Sequence, residues 1–244
     1  MKSWTIGIAG LTALALLIAG TYGSLGISLT AVIGLCAAFG FGWPHYLRVP
    51  AKKTLAVIIA LSGSGGAVSA AFSTGPGYLM WLPVSTAAGI GGVFVVQLVR
   101  GTGQSHRLES TLGASAGVLV STLAGGWIAA ERFNGHTAMM LITGLSAAVA
   151  LLVGLIRWPD RVIAPLAVGL AALTGPMAAL LFSDVRIVPA AIIGAVVAAV
   201  LMSFRHLAGL AGPHRTQPGA IAMGLAPIAA LGTLIYFIDR LLIT

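Results

Sequence analysis

Among the residues of this sequence that can do chemistry, hydroxyls set between glycines form the densest group. Ser62, Ser64 and Ser69 are interleaved with Gly63, Gly65 and Gly66; Ser85 and Thr86 precede Gly89, Gly91 and Gly92; Ser115, Ser121 and Thr122 lie among Gly113, Gly117, Gly125 and Gly126. Small hydroxyls and bare glycine backbone can line a path for a weakly polar solute. The same residues also let helices approach closely where lipid supplies no hydrophobic drive, and a helical serine or threonine commonly bonds a carbonyl one turn earlier. Packing is the simpler account of each residue taken singly. A substrate path, if the chain builds one, draws on Ser62, Ser64, Ser85, Thr86, Ser121 and Thr122.

Two further patterns point the same way. Val84 to Gly89 reads VSTAAG and Val120 to Gly125 reads VSTLAG, an echo of the kind inverted repeats leave at a midplane site. In so alanine-rich a chain, five matches over six positions also arise by chance. Thr174-Gly175-Pro176 and Pro227 fall in the middle of apolar stretches. Proline lacks the amide hydrogen and clashes with the carbonyl one turn back, which predicts a kink or a local break. Thr174, Gly175 and Pro176 therefore join the candidate path, whereas Thr74-Gly75-Pro76-Gly77 reads as a tight turn.

Catalytic sets are missing. Gly113-Ala114-Ser115-Ala116-Gly117 has the spacing of a nucleophile elbow, but that pattern needs a strand-to-helix turn with His and acid partners. The five histidines, His45, His106, His136, His206 and His214, show no zinc spacing. No carboxylate pair of the kind that holds magnesium is present, and Gly101 to Ser105 lacks the lysine of a phosphate-binding loop. Cys36 stands alone, which excludes an internal disulfide and reads as a small buried hydrophobe. The reading is a non-enzyme with no cofactor and no metal.

The elements that must carry these residues are membrane spans. Hydrophobic residues make up 58% of the chain and charged ones 7%, and the mean hydropathy is +1.04. About 20 apolar residues cross the hydrocarbon core as a helix, the form that satisfies every backbone group in lipid. Nine such stretches run over 4–22, 25–43, 54–72, 78–99, 111–130, 137–156, 162–182, 187–204 and 218–238. The fold class is all-α, a polytopic transmembrane helical bundle forming one integral membrane domain over residues 1–244. The first stretch reads as a span rather than a cleaved signal, since it has spanning length and no small-x-small site follows it.

Charge sets the orientation. With the N-terminus inside, cytoplasmic segments hold Lys2, Arg48, Lys52, Lys53, Arg100, Arg107, Arg157, Arg161, Arg205 and Arg215, ten of the thirteen basic residues. The C-terminus is then outside. The formal +8 thus records topology and calls for no nucleic acid. Arg48, Lys52, Lys53, Arg205 and Arg215 also form a possible collar for lipid head groups or an acidic partner. No ionisable residue falls at mid-span. Asp239, beside Arg240, comes nearest, as an interfacial couple or an outward-side proton or cation ligand. The five tryptophans fall near predicted boundaries, as an interfacial belt would. The longest connection, Arg205 to Gln217, is too short to fold a nucleotide-binding domain.

With its short basic loops after Trp43-Pro44 and the stretch Tyr78 to Pro83 opening the fourth span, the chain resembles a group of uncharacterised actinobacterial multi-pass proteins often labelled permease. The resemblance runs over most of the chain and implies transport by topology alone, with no functional residue to transfer. The expected function is a permease or exporter of the bacterial cytoplasmic membrane. It would move a small apolar or amphipathic solute or a lipid-linked precursor, uncoupled or driven by a partner such as an ATPase subunit. The alternative is a non-transporting scaffold or accessory subunit that packs its glycine faces on another membrane protein.

Overall fold

A computed structural model describes residues 2–49, 51–75, 77–100, 107–134, 137–156, 158–182, 185–210 and 216–242. Among these the chain is helical throughout: α1 (Lys2–Thr21), α2 (Leu25–Leu47), α3 (Lys52–Phe72), α4 (Leu82–Val99), α5 (Arg107–Leu123), α6 (Gly125–Asn134), α7 (Thr137–Gly154), α8 (Asp160–Phe182), α9 (Ile187–Leu210) and α10 (Gln217–Leu242). Eight helices are long and apolar enough to cross a membrane, counting α5 and α6 as one broken span over Leu108–Phe133. The apolar part of α7, Ala138–Gly154, is slightly shorter. The chain is built as a membrane-embedded helical bundle.

With α5 and α6 taken together, each expected span corresponds to one described helix, but the ends differ. α9 continues past residue 204 through Arg205 and His206 to Leu210, and α10 continues past 238 to Leu242. Hydropathy marks where side chains meet lipid, whereas a helix continues until its backbone is capped. α2 ends at Arg48, whose φ of 58° is the left-handed conformation of a helix C-cap. α4 starts later than expected, at Leu82 with Pro83 in its first turn, after a turn over residues 78–81.

α10 is the hub. It touches α1, α2, α5, α6 and α9, and side chains on all its faces are buried, among them Met223, Ile228, Leu231, Ile235 and Tyr236. The group α2 to α6 lies on one side of it and α7 to α9 on the other, with α1 touching α2, α7 and α10. α4 touches only α3 and α5 closely and is the least buried span.

Close helix approach follows the glycines. An added methyl on Gly40 would stand 2.8 Å from the Ala60 amide nitrogen, joining α2 to α3. Gly175 lies against the Ala190 carbonyl and Gly194 against the Ala171 carbonyl, joining α8 to α9. Pro176 and Pro227 are accommodated inside continuous helices, as are Pro44 and Pro165.

The one interruption among the spans comes instead at Ala124. Its amide bonds the Ser121 carbonyl at 3.2 Å, and the Trp127 amide bonds the Ala124 carbonyl at 3.1 Å, both three residues back rather than four. The cause lies in the neighbours. Gly125 presses on the Gly66 backbone of α3, where a methyl would sit 2.9 Å from the Gly66 carbonyl carbon. Gly126 presses on the Thr233 backbone of α10. The Thr233 hydroxyl donates to the Leu123 carbonyl at 2.8 Å, and the Trp127 indole N–H donates to the Ile228 carbonyl at 2.8 Å. A break at membrane depth persists where protein groups take up the backbone bonds it frees.

Candidate functional site

The hydroxyls picked out from the sequence converge. Ser62 donates to the Ile58 carbonyl at 2.7 Å with its oxygen against Gly89, so α3 meets α4 there. Thr122 donates to the Leu119 carbonyl at 2.9 Å, and the Thr86 oxygen lies 3.0 Å away, joining α4 to α5. Ser121 is fully buried beside Gly63, its hydroxyl without a hydrogen-bond partner, and the Cys36 thiol points at the Ser121 carbonyl at 3.7 Å. Ser85 stands over Gly65, and Ser64 is half-buried on α3. These residues meet in a filled contact of α3, α4 and α5, where glycines admit the neighbouring hydroxyls.

Thr174, Gly175 and Pro176 lie elsewhere, on α8. The Thr174 hydroxyl bonds the Leu170 carbonyl of its own helix at 2.7 Å, and Gly175 serves the α9 contact.

Among the described residues, three grooves at the bundle surface bear on the site. The largest of these three, about 1070 Å³, runs between α1 and α2 with Ile221 and Leu225 of α10 in its lining. Gly20 against Ser28 closes the two helices at the turn end, with a methyl on Gly20 3.1 Å from the Ser28 Cα. From there the groove follows α1 back to Thr5 and α2 on to Ala38. Its lining is apolar apart from the hydroxyls of Thr5, Thr12, Ser24 and Thr30, and no charged residue takes part. Gly26, Thr30, Gly34 and Ala38, four apart, lie along it on α2.

Two more grooves meet at the other end of the molecule. One, about 440 Å³, is lined by α1, α7, α9 and α10 and includes Gly224 and Pro227. The other, about 680 Å³, lies between α8 and α9. Asp160, Met202 and Arg205 line both. The Arg205 Nε donates to Asp160 Oδ1 at 3.1 Å and the His206 Nδ1 lies 3.3 Å from Asp160 Oδ2. Arg205 also reaches the carbonyls of Gly154, Ile156 and Trp158, capping the C-terminal end of α7.

Comparison with protein-family models, curated proteins and solved structures finds no match. Roles must therefore be argued from grooves and charges. Of the basic collar, Arg205 lines two grooves but is held by Asp160 and three carbonyls. Arg48 and Lys53 are exposed and Lys52 is half-buried at the α2–α3 connection, while Arg215 lies outside the described residues.

The structure corrects three expectations. Asp239 is 1% exposed, so it does not snorkel; Arg240 is exposed, its Nη1 3.4 Å from the Tyr236 hydroxyl. Trp43 and Trp127 leave the interfacial belt: both are buried, the Trp43 indole donating to the Gly113 carbonyl at 2.9 Å. An indole N–H that finds a carbonyl on a neighbouring helix is stable away from the interface. Trp4, Trp81 and Trp158 are exposed as a belt requires.

Sequence reasoning also passed over the buried Gln97, whose amide donates to the Ser110 hydroxyl at 2.8 Å between α4 and α5. A lone glutamine inside an apolar stretch was the available signal. The α1–α2 groove was out of reach by that route, because its residues are ordinary alanines, threonines and glycines.

Proposed function

We propose that the chain is a permease of the bacterial cytoplasmic membrane that carries an amphiphile along the groove between α1 and α2. One observation carries this reading: an uncharged groove of about 1070 Å³ that follows α1 from Thr5 to Gly20, about 22 Å at 1.5 Å per residue, most of the hydrocarbon thickness. Its volume is at the upper end of ligand sites. An apolar tail can stay in lipid while a weakly polar head passes between hydroxyls. The absence of charge from the lining fits a neutral or weakly polar solute and movement that is uncoupled or driven by a partner, since no lining side chain can carry a coupling proton.

Gly34 supplies the test, because nothing lies within 4 Å of a methyl built there. Gly34→Phe places a ring in the groove from a backbone position with room for its Cβ. In liposomes, a fluorescent single-chain amphiphile should cross faster with the wild-type protein than in empty vesicles, and the variant should abolish the difference. Gly91→Phe, on the outer face of α4 and equally uncrowded, should retain it. Equal rates for wild-type and empty vesicles would sink the proposal. The exposed α4 face gives the scaffold reading its own footing, and recovery of a stoichiometric membrane partner lost on Gly91→Phe would favour it.

A further inference from the structure

We propose that the end of the bundle where α7, α8 and α9 meet binds one two-chain phospholipid with a phosphoethanolamine head. Asp160, Arg205 and His206 hold the head, and the two grooves that flank them take one chain each.

The geometry is that of a forked ligand. Both grooves run along α9 but on neighbouring faces. Leu201, Phe204 and Ala208 line the first, and Ala199, Ser203 and Leu207 line the second. Helical spacing of 100° per residue places these sets on different sides of the helix, with Met202 and Arg205 on the ridge between them. The polar groups gather at that ridge, and away from it both linings are mainly apolar. One polar centre with an apolar channel on each side matches a diacyl lipid, whose two chains leave one head.

Charge selects the head. A single guanidinium faces a single carboxylate, with an imidazole on the other carboxylate oxygen. The Arg205 Nη2 contacts to the Ile156 and Trp158 carbonyls are long, 3.3 and 3.4 Å, so a phosphate oxygen can replace them with a charge-assisted bond. The Asp160 side chain is 44% exposed and the His206 side chain 60%, which leaves the carboxylate open to a primary ammonium. A head that carries phosphate alone meets the Asp160 carboxylate as a like charge. A quaternary ammonium has no N–H to give it. Arg205 belongs to the set of basic segments that label the cytoplasmic side, which places the site at the level of inner-leaflet head groups.

Native mass spectrometry of the full chain, delipidated in mild detergent and offered three probes, tests this. The probes are a diacyl phosphoethanolamine lipid, the phosphoglycerol lipid with the same chains, and the single-chain phosphoethanolamine lipid. The first should be retained about tenfold more tightly than either of the others. Two variants fill one groove each: Ala199→Trp, at an exposed position, and Gly209→Leu, where nothing lies within 4 Å of an added methyl. Each should reduce retention of the diacyl lipid to that of the single-chain lipid. Asp160→Asn should erase the preference over phosphoglycerol. Equal retention of the three probes by the wild type, or undiminished retention by both groove-filling variants, overturns the proposal. Neither result bears on the α1–α2 groove, which shares no residue with this site.

Discussion

Replacing Gly126 with alanine should damage this protein more than most single methyl additions. The new methyl would fall on the backbone of Thr233, and backbone, unlike a side chain, has no rotamer to retreat into. α6 and α10 would have to part by about 1 Å to restore ordinary contact. Overpacking of this kind costs about 1–3 kcal/mol. Separation also stretches the bonds from Thr233 to the Leu123 carbonyl and from Trp127 to the Ile228 carbonyl, both 2.8 Å, and interhelical bonds in membranes are worth ~0.6 kcal/mol each on average. The sum is a loss of roughly 2–4 kcal/mol. Gly91→Ala is the control: the same change, in the middle of α4, with nothing within 4 Å. It should be neutral or gain up to ~1 kcal/mol. At about 2–4 °C per kcal/mol for a chain of this size, the apparent melting temperatures should differ by about 4–20 °C. Size-exclusion chromatography after graded heating in detergent reads this difference directly. If Gly126→Ala melts within about 2 °C of Gly91→Ala, the account of the break as a backbone-to-backbone junction is wrong.

Arg132 donates to the Ala70 and Ser73 carbonyls at 2.9 and 2.8 Å and stacks over Tyr78 at 4.8 Å. Arg132→Gln uncaps α3 and should cost about 1–2 kcal/mol in the same melting assay, with Arg132→Lys recovering only part, because an ammonium can mimic the single nitrogen that makes both bonds but not the planar stack over Tyr78. Trp127→Phe should lose about 1–2 kcal/mol through the lost indole bond to the Ile228 carbonyl and the emptied space beside Gly232. Ser85→Ala and Thr174→Ala should change stability by less than about 0.5 kcal/mol and leave amphiphile movement intact; a large transport defect in either would return those hydroxyls to the solute path.

The spans were legible because lipid imposes one rule on every helix: sustained apolarity over about 20 residues. Where a helix stops is a different question, answered by caps such as Arg48, and hydropathy misses it by a turn or more at α9. The break shows the limit more sharply. Proline has a local signature, so Pro176 and Pro227 invited the expectation of a kink or a local break, yet neither helix breaks there. Gly125-Gly126 has no such signature, since glycine only permits what its neighbours demand, and the neighbours are Gly66 and Thr233, distant in sequence. The hydroxyls could be grouped from the sequence because they recur at the same depth in three successive spans. Whether they line space or fill it depends on interhelical distances that no pattern encodes. The grooves follow the same logic in reverse: each opens where helices that touch elsewhere along their length draw apart, and a missing contact leaves no mark on composition.

The central position of α10 carries a cost in time. α10 leaves the ribosome after every helix it touches, and at ~5–20 residues per second the chain ahead of it takes roughly ten to forty seconds to make. Throughout that interval the α10-facing sides of α1, α2, α5, α6 and α9 have no hub to close on, and Gly126 waits for Thr233. Helices with small, smooth, unsatisfied faces pair readily with the wrong neighbour. Until the hub arrives, wrong pairings of those faces compete with the native ones. Substitutions that weaken α10 should reveal themselves first as chains degraded during synthesis, before any folded protein has had the chance to fail.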